Sequence, residues 1–216
     1  MEVNGYKIEP GADLAGADLV GVNLAGANLA GANLAGAYLT GANLTGANLR
    51  RANLANATLR GANLFGANMT NADMQGTDFK DANLFGADLT GANLTGANLR
   101  RANLAGVDMT GANLSGAHLN LANLANANLS GLNLSGMDLC GAYLGWANLA
   151  GTNLSGADLQ GAVLSRANLS GADLQGANLA GAFLIDTHLT STNLSDTNLD
   201  DAELSGATMP AGWTRD

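Results

Sequence analysis

The chain has 216 residues, a formal net charge of −9 and 47% apolar residues. Its 30 glycines, 2 prolines and 4% aromatic content argue against a globular core built from large side chains. The acidic balance disfavours direct binding of nucleic acid, which needs clustered lysine and arginine, and the single cysteine, Cys140, excludes an intrachain disulfide.

Residues 1–10 precede the periodic part of the chain. The residues after Met1 are mostly polar and contain no apolar stretch, so no secretory signal is predicted. No window approaches the roughly eighteen consecutive apolar residues of a membrane helix. We therefore expect a cytoplasmic protein without membrane contact. Tyr6 and Ile8 make residues 1–10 a candidate N-terminal cap over the open end of the repeats.

From residue 11 to residue 209 the chain repeats a five-residue unit, A-(N/D)-L-x-G, in constant phase. Leucine occupies 35 of the 40 central positions, and alanine occupies 31 of the 40 positions two residues earlier. Residues two apart in an extended chain share a side, so leucine and alanine face inward and the Asn or Asp between them faces outward. The fifth residue is mostly glycine, which tolerates the positive φ of a corner. A unit this small must stack on copies of itself.

Units such as ADLAG at residues 12–16 and ANLTG at residues 42–46 resemble the A(N/D)LXX repeats of the pentapeptide-repeat family. The resemblance covers residues 11–209. It implies an all-β fold, a right-handed quadrilateral parallel β-helix of about ten coils of four pentapeptides with no internal loops. Residues twenty apart should then stack, and Phe65 with Phe85 is one matching pair. We expect a cap at residues 1–10, a β-helix at 11–209 and a C-terminal tail at 210–216.

A few inward positions depart from alanine. Leu132 and Met137 overfill two such positions, which predicts a local widening of the coil near residues 130–140. Near the C-terminus, threonine replaces alanine on three successive sides of the coil. This change predicts a polar last coil, and it involves Thr187, Thr192 and Thr197.

One outward column changes its chemical character. It carries asparagine at every twentieth position from 23 to 123 and then reads Tyr143, Val163 and Phe183. Trp146 and Ile185 flank this column, and Arg166 follows Trp146 by twenty residues, within reach of a cation–π contact. Exposed apolar clusters rimmed by charge mark contact surfaces. The predicted interface comprises Tyr143, Trp146, Val163, Arg166, Phe183 and Ile185. It would bind a protein partner or a second copy, as a homodimer through the C-terminal half.

Catalytic chemistry has little support in the sequence. His118 and His188 fall in different columns of the twenty-residue register, and the acidic residues occupy outward columns where asparagine is the usual alternative. The glycines mark corners and open no helix, as a phosphate-binding loop would require. We therefore predict no catalytic, cofactor or metal site, no small-molecule substrate and no enzymatic activity.

Two functions stay open. The first is a non-enzymatic rigid scaffold or protein-interaction module whose specific role is unresolved. The second comes from the resemblance: some acidic pentapeptide-repeat dimers mimic duplex DNA, bind DNA gyrase or topoisomerase and protect it from quinolone-type inhibitors. The charge of −9 fits this alternative, although B-DNA as long as a rod of roughly 48 Å would carry about 28 phosphate charges. The column Arg60, Lys80 and Arg100 also interrupts an acidic stripe.

Overall fold

The computed structural model describes residues 2–214, which form a β-helix solenoid. No helix forms in this range, and so none that is long and apolar enough to cross a membrane. The two regular strands, β1 at Glu2–Val3 and β2 at Tyr6–Lys7, pair in antiparallel fashion ahead of the repeats. Ile8 then enters the core at 5% exposure. The cap and tail predicted from the sequence also include residues 1, 215 and 216, which lie outside the described range.

The repeats are held together by single-residue parallel bridges between residues twenty apart. Four ladders of such bridges run along the molecule: residues 13 to 193 form ladder 1, 18 to 198 ladder 2, 23 to 203 ladder 3 and 28 to 208 ladder 4, each in steps of twenty. The predicted stacking of residues twenty apart is therefore observed. The rings of Phe65 and Phe85 show it directly, with centroids 5.6 Å apart and planes 2° from parallel.

The inward leucine and alanine side chains form one continuous apolar core. The central residues from Leu14 to Leu189 are buried, including Phe79 and Met109. The last four central residues, Leu194, Leu199, Leu204 and Met209, are partly buried. Inward threonines are accommodated because each hydroxyl donates to a backbone carbonyl 23 residues earlier in the chain. Thr187 Oγ1 donates to Leu164 O at 2.9 Å, and Thr77 Oγ1 makes the equivalent bond at 2.8 Å. A polar inward residue therefore fits without leaving an unpaired group.

Outward asparagines form a second network along each ladder. Asn83 Nδ2 donates to Asn63 Oδ1 at 3.0 Å, and Asn103 Nδ2 donates to Asn83 Oδ1 at the same distance. The same Oδ1 atoms accept the N–H of the residue two positions later, as Asn83 does from Phe85 at 3.3 Å. These side-chain bonds support the corner that follows each bridge.

Backbone hydrogen bonding between successive twenty-residue turns is regular with one exception. Twelve backbone hydrogen bonds join residues 90–109 to the next turn, and the other steps of the described chain match this pattern. Between residues 110–129 and 130–149 only six are formed. The missing bonds belong to ladders 1 and 2, where the bridges Asn113–Asn133 and His118–Asp138 are absent from the described structure. The widening predicted near residues 130–140 thus takes the form of a gap between two turns.

Candidate protein-interaction face

The column predicted as an interface lies on ladder 3, and its backbone is the same as in the asparagine part. Tyr143, Val163 and Phe183 each donate their N–H to the inward residue 21 positions earlier at 2.9 Å, as Asn103 does. The backbone bridge requires no particular side chain at this position. Replacing asparagine by an apolar residue therefore changes the surface and leaves the backbone ladder intact.

The apolar side chains of this column are open to solvent. Tyr143 is 55% exposed and Phe183 is 48% exposed, with the half-buried Val163 between them in the ladder. Ile185 lies two residues beyond Phe183 and is also exposed. The structure therefore brings these four predicted residues together on one side of the solenoid, as an unpaired apolar stripe.

Trp146 and Arg166 occupy the corner next to the stripe, at positions where most turns have glycine. Both adopt a φ of 61°, in the left-handed region that bulky residues rarely enter. The Arg166 guanidinium lies over the Trp146 ring, 4.9 Å from its centroid, and Arg166 Nε contacts Asp186 Oδ2 at 3.3 Å. The indole is nonetheless 61% exposed. The chain thus holds a large aromatic residue in a strained conformation without burying it.

Leu121 belongs to the same face and was missed by the sequence analysis. It occupies the corner that precedes ladder 3, has a φ of 60° and is 53% exposed. Its side chain lies over Gly141, where an added Cβ would be 2.8 Å from Leu121 Cδ2. The available signal was an apolar residue at a fifth position, where glycine and asparagine are usual. We call Leu121 and the six predicted residues the ladder-3 face.

A shallow groove of about 340 Å³ runs across this face and is mainly apolar. It exists because the residues following ladder 3 are small in this part of the chain, at Ala125 and Gly145. In the same column the earlier turns carry Phe65 and Phe85 and a later turn carries Ile185. The groove is lined by Arg101, Ala102, Asn103, Leu121, Asn123, Ala125, Tyr143, Gly145 and Val163.

Groups that could support metal or covalent chemistry are scattered. Within residues 2–214 no group of three or more His, Cys, Asp or Glu side chains is arranged to hold a metal ion. His118 lies on ladder 2 and His188 on ladder 4. Burial, followed by the charges of Asp158 and Asp138, raises the pKa of the Cys140 thiol. This thiol therefore stays protonated and is a poor nucleophile at neutral pH.

Comparison with known proteins gives a consistent assignment. The sequence model described as "Pentapeptide repeats" matches in eight copies, over residues 11–46, 42–81, 82–120, 108–145, 117–156, 142–179 and 172–209. No curated protein sequence matches the chain significantly.

Three solved structures illustrate the similarity. HetL, a pentapeptide repeat protein involved in heterocyst differentiation regulation from the cyanobacterium Nostoc sp. strain PCC 7120, is 36% identical over 92% of both chains, with a TM-score of 0.46. Rfr23 from the cyanobacterium Cyanothece 51142 is 35% identical over 56% of this chain and 90% of its own, with a TM-score of 0.41. Full-length QnrB1, a plasmid-mediated fluoroquinolone resistance protein, is 22% identical over 84% of this chain and 91% of its own, with a TM-score of 0.47.

Proposed function

Because this chain belongs to the pentapeptide-repeat family, we propose that it is a non-enzymatic, cytoplasmic scaffold that binds a protein through the ladder-3 face. The partner is another protein or a second copy of the chain. The scaffold of this proposal is a right-handed quadrilateral β-helix of about ten coils without internal loops. The bridges between residues twenty apart and the continuous leucine core support that geometry.

The observation that carries the proposal is the pair of strained, exposed apolar corners beside Tyr143. Leu121 and Trp146 both adopt positive φ, a conformation that costs about 1–2 kcal/mol for a residue other than glycine. More than half of each side chain remains exposed, so burial within the chain does not offset this cost. Burial against a partner would offset it, and large aromatic anchors are typical of the centres of protein interfaces.

The double variant Tyr143→Asp, Phe183→Asp tests the proposal. It places two negative charges in the apolar stripe. The backbone ladder should be kept, because its hydrogen bonds require no particular side chain at these positions. The matched control is Asn23→Asp, Asn63→Asp, which adds the same charge to the asparagine part of ladder 3, outside the groove. Solution mass is measured by light scattering, and partners are recovered by affinity capture from the native lysate.

We expect the wild type and the control to show the same assembly or the same captured protein. The stripe variant should lose it. If the stripe variant keeps the mass and the partners of the wild type, or if the wild type is monomeric and captures no protein, the proposal is wrong.

The acidity of the C-terminal half favours a second candidate function, binding to DNA gyrase as a DNA mimic. Residues 121–216 carry nine acidic and two basic residues, a net charge of −7. One charge of the basic column is paired, since Arg60 Nε lies 3.1 Å from Asp78 Oδ2. A gyrase supercoiling assay with and without ciprofloxacin tests this candidate. No effect of the protein at stoichiometric excess would eliminate it.

A further inference from the structure

The gap between residues 111–119 and 130–138 leaves main-chain groups unpaired on two facing edges. Among the described residues, six N–H groups that would normally bridge the turns have no acceptor, and the six carbonyls that would receive them have no donor. The donors are Gly111, Leu114, Gly116, Leu119, Asn133 and Asp138. The acceptors are Ala112, Ala117, Ser130, Asn133, Ser135 and Asp138. We call these two edges the lips of the gap.

The cause of the gap lies in the core. Leu132 and Met137 point inward at positions that alanine usually occupies, and they remain 5% and 6% exposed. Their extra volume separates their turn from the preceding one, as expected for an overpacked core. On ladders 3 and 4 the six bonds persist, including Tyr143 N to Ala122 O at 2.9 Å. The gap is therefore a wedge that is closed on one side of the solenoid and open on the other.

The open side of the wedge is a cleft of about 430 Å³. Its corner residues are small, so the main chain of both lips is accessible, and the Met137 side chain lies among the lining residues. The volume falls within the range of about 300–1,000 Å³ that is usual for ligand sites. The lining consists of Ser115, Gly116, Ala117, His118, Asn133, Ser135, Gly136, Met137 and Asp138.

The arrangement of the lips selects one kind of occupant. Each lip offers both N–H and C=O groups and bends at a corner, at Gly116 and Gly136. Main-chain edges of this kind pair with polypeptide backbone that makes the same bend. An anion would match only the donors, and the described residues offer no group of three metal ligands. Met137, which lines the cleft, favours an apolar side chain of the occupant.

We propose that this cleft binds a segment of another polypeptide that bends once, as residues 91–100 do at Gly96, and that this segment inserts between the lips and pairs with them through main-chain hydrogen bonds. A fully paired strand requires about 4.8 Å on each side, so the wedge opens further around ladders 3 and 4 as the segment enters. The cleft lies on ladders 1 and 2, away from the ladder-3 face. The inference therefore does not depend on the proposed function.

Direct binding of a model strand tests the inference. The probe is a fluorescein-labelled peptide with the sequence of residues 91–100, GANLTGANLR, which in the intact chain pairs with residues 110–118. Fluorescence anisotropy should show saturable one-site binding to the wild-type protein, and a scrambled peptide should bind at least tenfold more weakly. Absence of binding at millimolar protein would overturn the inference.

The variant Leu132→Ala, Met137→Ala locates the binding. It restores the alanines that fit every regular turn, so the wedge should close and peptide affinity should fall at least tenfold. The variant Tyr143→Asp, Phe183→Asp should bind the peptide as the wild type does, which separates this site from the ladder-3 face. Equal binding by the closed variant would place the peptide elsewhere, such as at an end of the solenoid, and would overturn the inference.

Amide hydrogen exchange gives a readout that needs no variant. In the free wild type the amides of Leu114, Gly116 and Leu119 should exchange at least tenfold faster than those of Leu94 and Gly96, which are paired one turn earlier. Bound peptide should slow the first group and leave the second unchanged. Saturable binding without this protection would contradict pairing at the lips.

Discussion

Residues 131–138 and 141–146 belong to the same turn of the chain, yet they depart from the repeat in opposite ways. In the first stretch the changes are inward, at Leu132 and Met137, and all of its backbone bonds to the preceding turn are lost. In the second the changes are outward or at a corner, at Tyr143 and Trp146, and every bond to the preceding turn is kept.

This difference shows which parts of the repeat determine the fold. The core has room for one leucine and one small residue on each side of a turn, and any excess volume is relieved along the axis of the solenoid. The outward position contributes only backbone to the bridge, so its side chain is free to vary. Binding surfaces can therefore be added on the outside without loss of structure, whereas an inward change opens the structure itself.

The largest expected loss of stability comes from truncating an inward residue, and its outward neighbour provides the comparison. Leu164→Ala removes a fully buried side chain and should lower the free energy of unfolding by about 2–5 kcal/mol. Val163→Ala changes the adjacent outward residue and should cost about 1 kcal/mol or less. Urea unfolding of the two variants measures both values. Equal costs would contradict the distinction between inward and outward positions.

An inward polar group should have a smaller effect, because it adds a hydrogen bond to a site that packs well. Thr192 Oγ1 donates to Leu169 O at 2.9 Å, and the same carbonyl also accepts the N–H of Ala172. Thr192→Val keeps the shape and removes one bond, so the cost should be about 1 kcal/mol by urea unfolding. The control Thr40→Val alters an exposed threonine and should change stability by about 0.5 kcal/mol or less. A larger effect at residue 40 than at residue 192 would contradict this interpretation.

The outward asparagine bonds should contribute less still. Asn103 donates to Asn83 at 3.0 Å and accepts from Asn123 at 3.2 Å, but this network is in contact with solvent. Asn103→Val makes the position resemble Val163 and should lower the free energy of unfolding by less than about 1 kcal/mol. Its backbone N–H should keep its slow hydrogen exchange. A loss above about 2 kcal/mol would show that the asparagine ladder, and not the core, holds the turns together.

Much of the fold followed from the five-residue period. The register of twenty, the inward leucines and the column of Tyr143, Val163 and Phe183 all depend on chain geometry that a strict repeat makes visible. Whether those residues form an interface is a separate prediction that stays untested. Leu121 was not predicted, because the repeat pattern treats every fifth residue as a turn and does not distinguish one corner from another. In the structure its φ is 60° and its side chain is exposed.

The direction in which the overfilled turn relaxes could not be predicted from the sequence either. The volumes of Leu132 and Met137 indicate that a turn is overfilled, and they say nothing about the direction in which the backbone relaxes. Within each turn the inward side chains pack against one another, whereas neighbouring turns are joined by individual hydrogen bonds worth about 0.5–1.5 kcal/mol each. Relaxation along the solenoid axis breaks six of these hydrogen bonds and keeps the side-chain packing within each turn.

The smallest predicted effect concerns an outward carboxylate, Asp108 on ladder 4. The Thr110 hydroxyl donates to Asp108 Oδ1 at 2.6 Å and the Thr110 N–H donates at 2.9 Å, and these bonds, the hydroxyl first, lower the pKa of Asp108. A pKa lower in the folded state means that the carboxylate stabilises the fold above its unfolded pKa, and this contribution is lost as the pH falls through the folded value.

Thr110→Val should therefore raise the pKa of Asp108, as measured by carbon-13 NMR titration of the carboxyl group, and reduce the stability that the group contributes near neutral pH. Thr110→Ser retains a hydroxyl and should keep the pKa low. Because the bonds are local to one outward corner, the backbone bonds between turns should stay protected in both variants. A pKa unchanged by Thr110→Val would assign the shift to the remaining donors, the Thr110 N–H and Asn128 Nδ2.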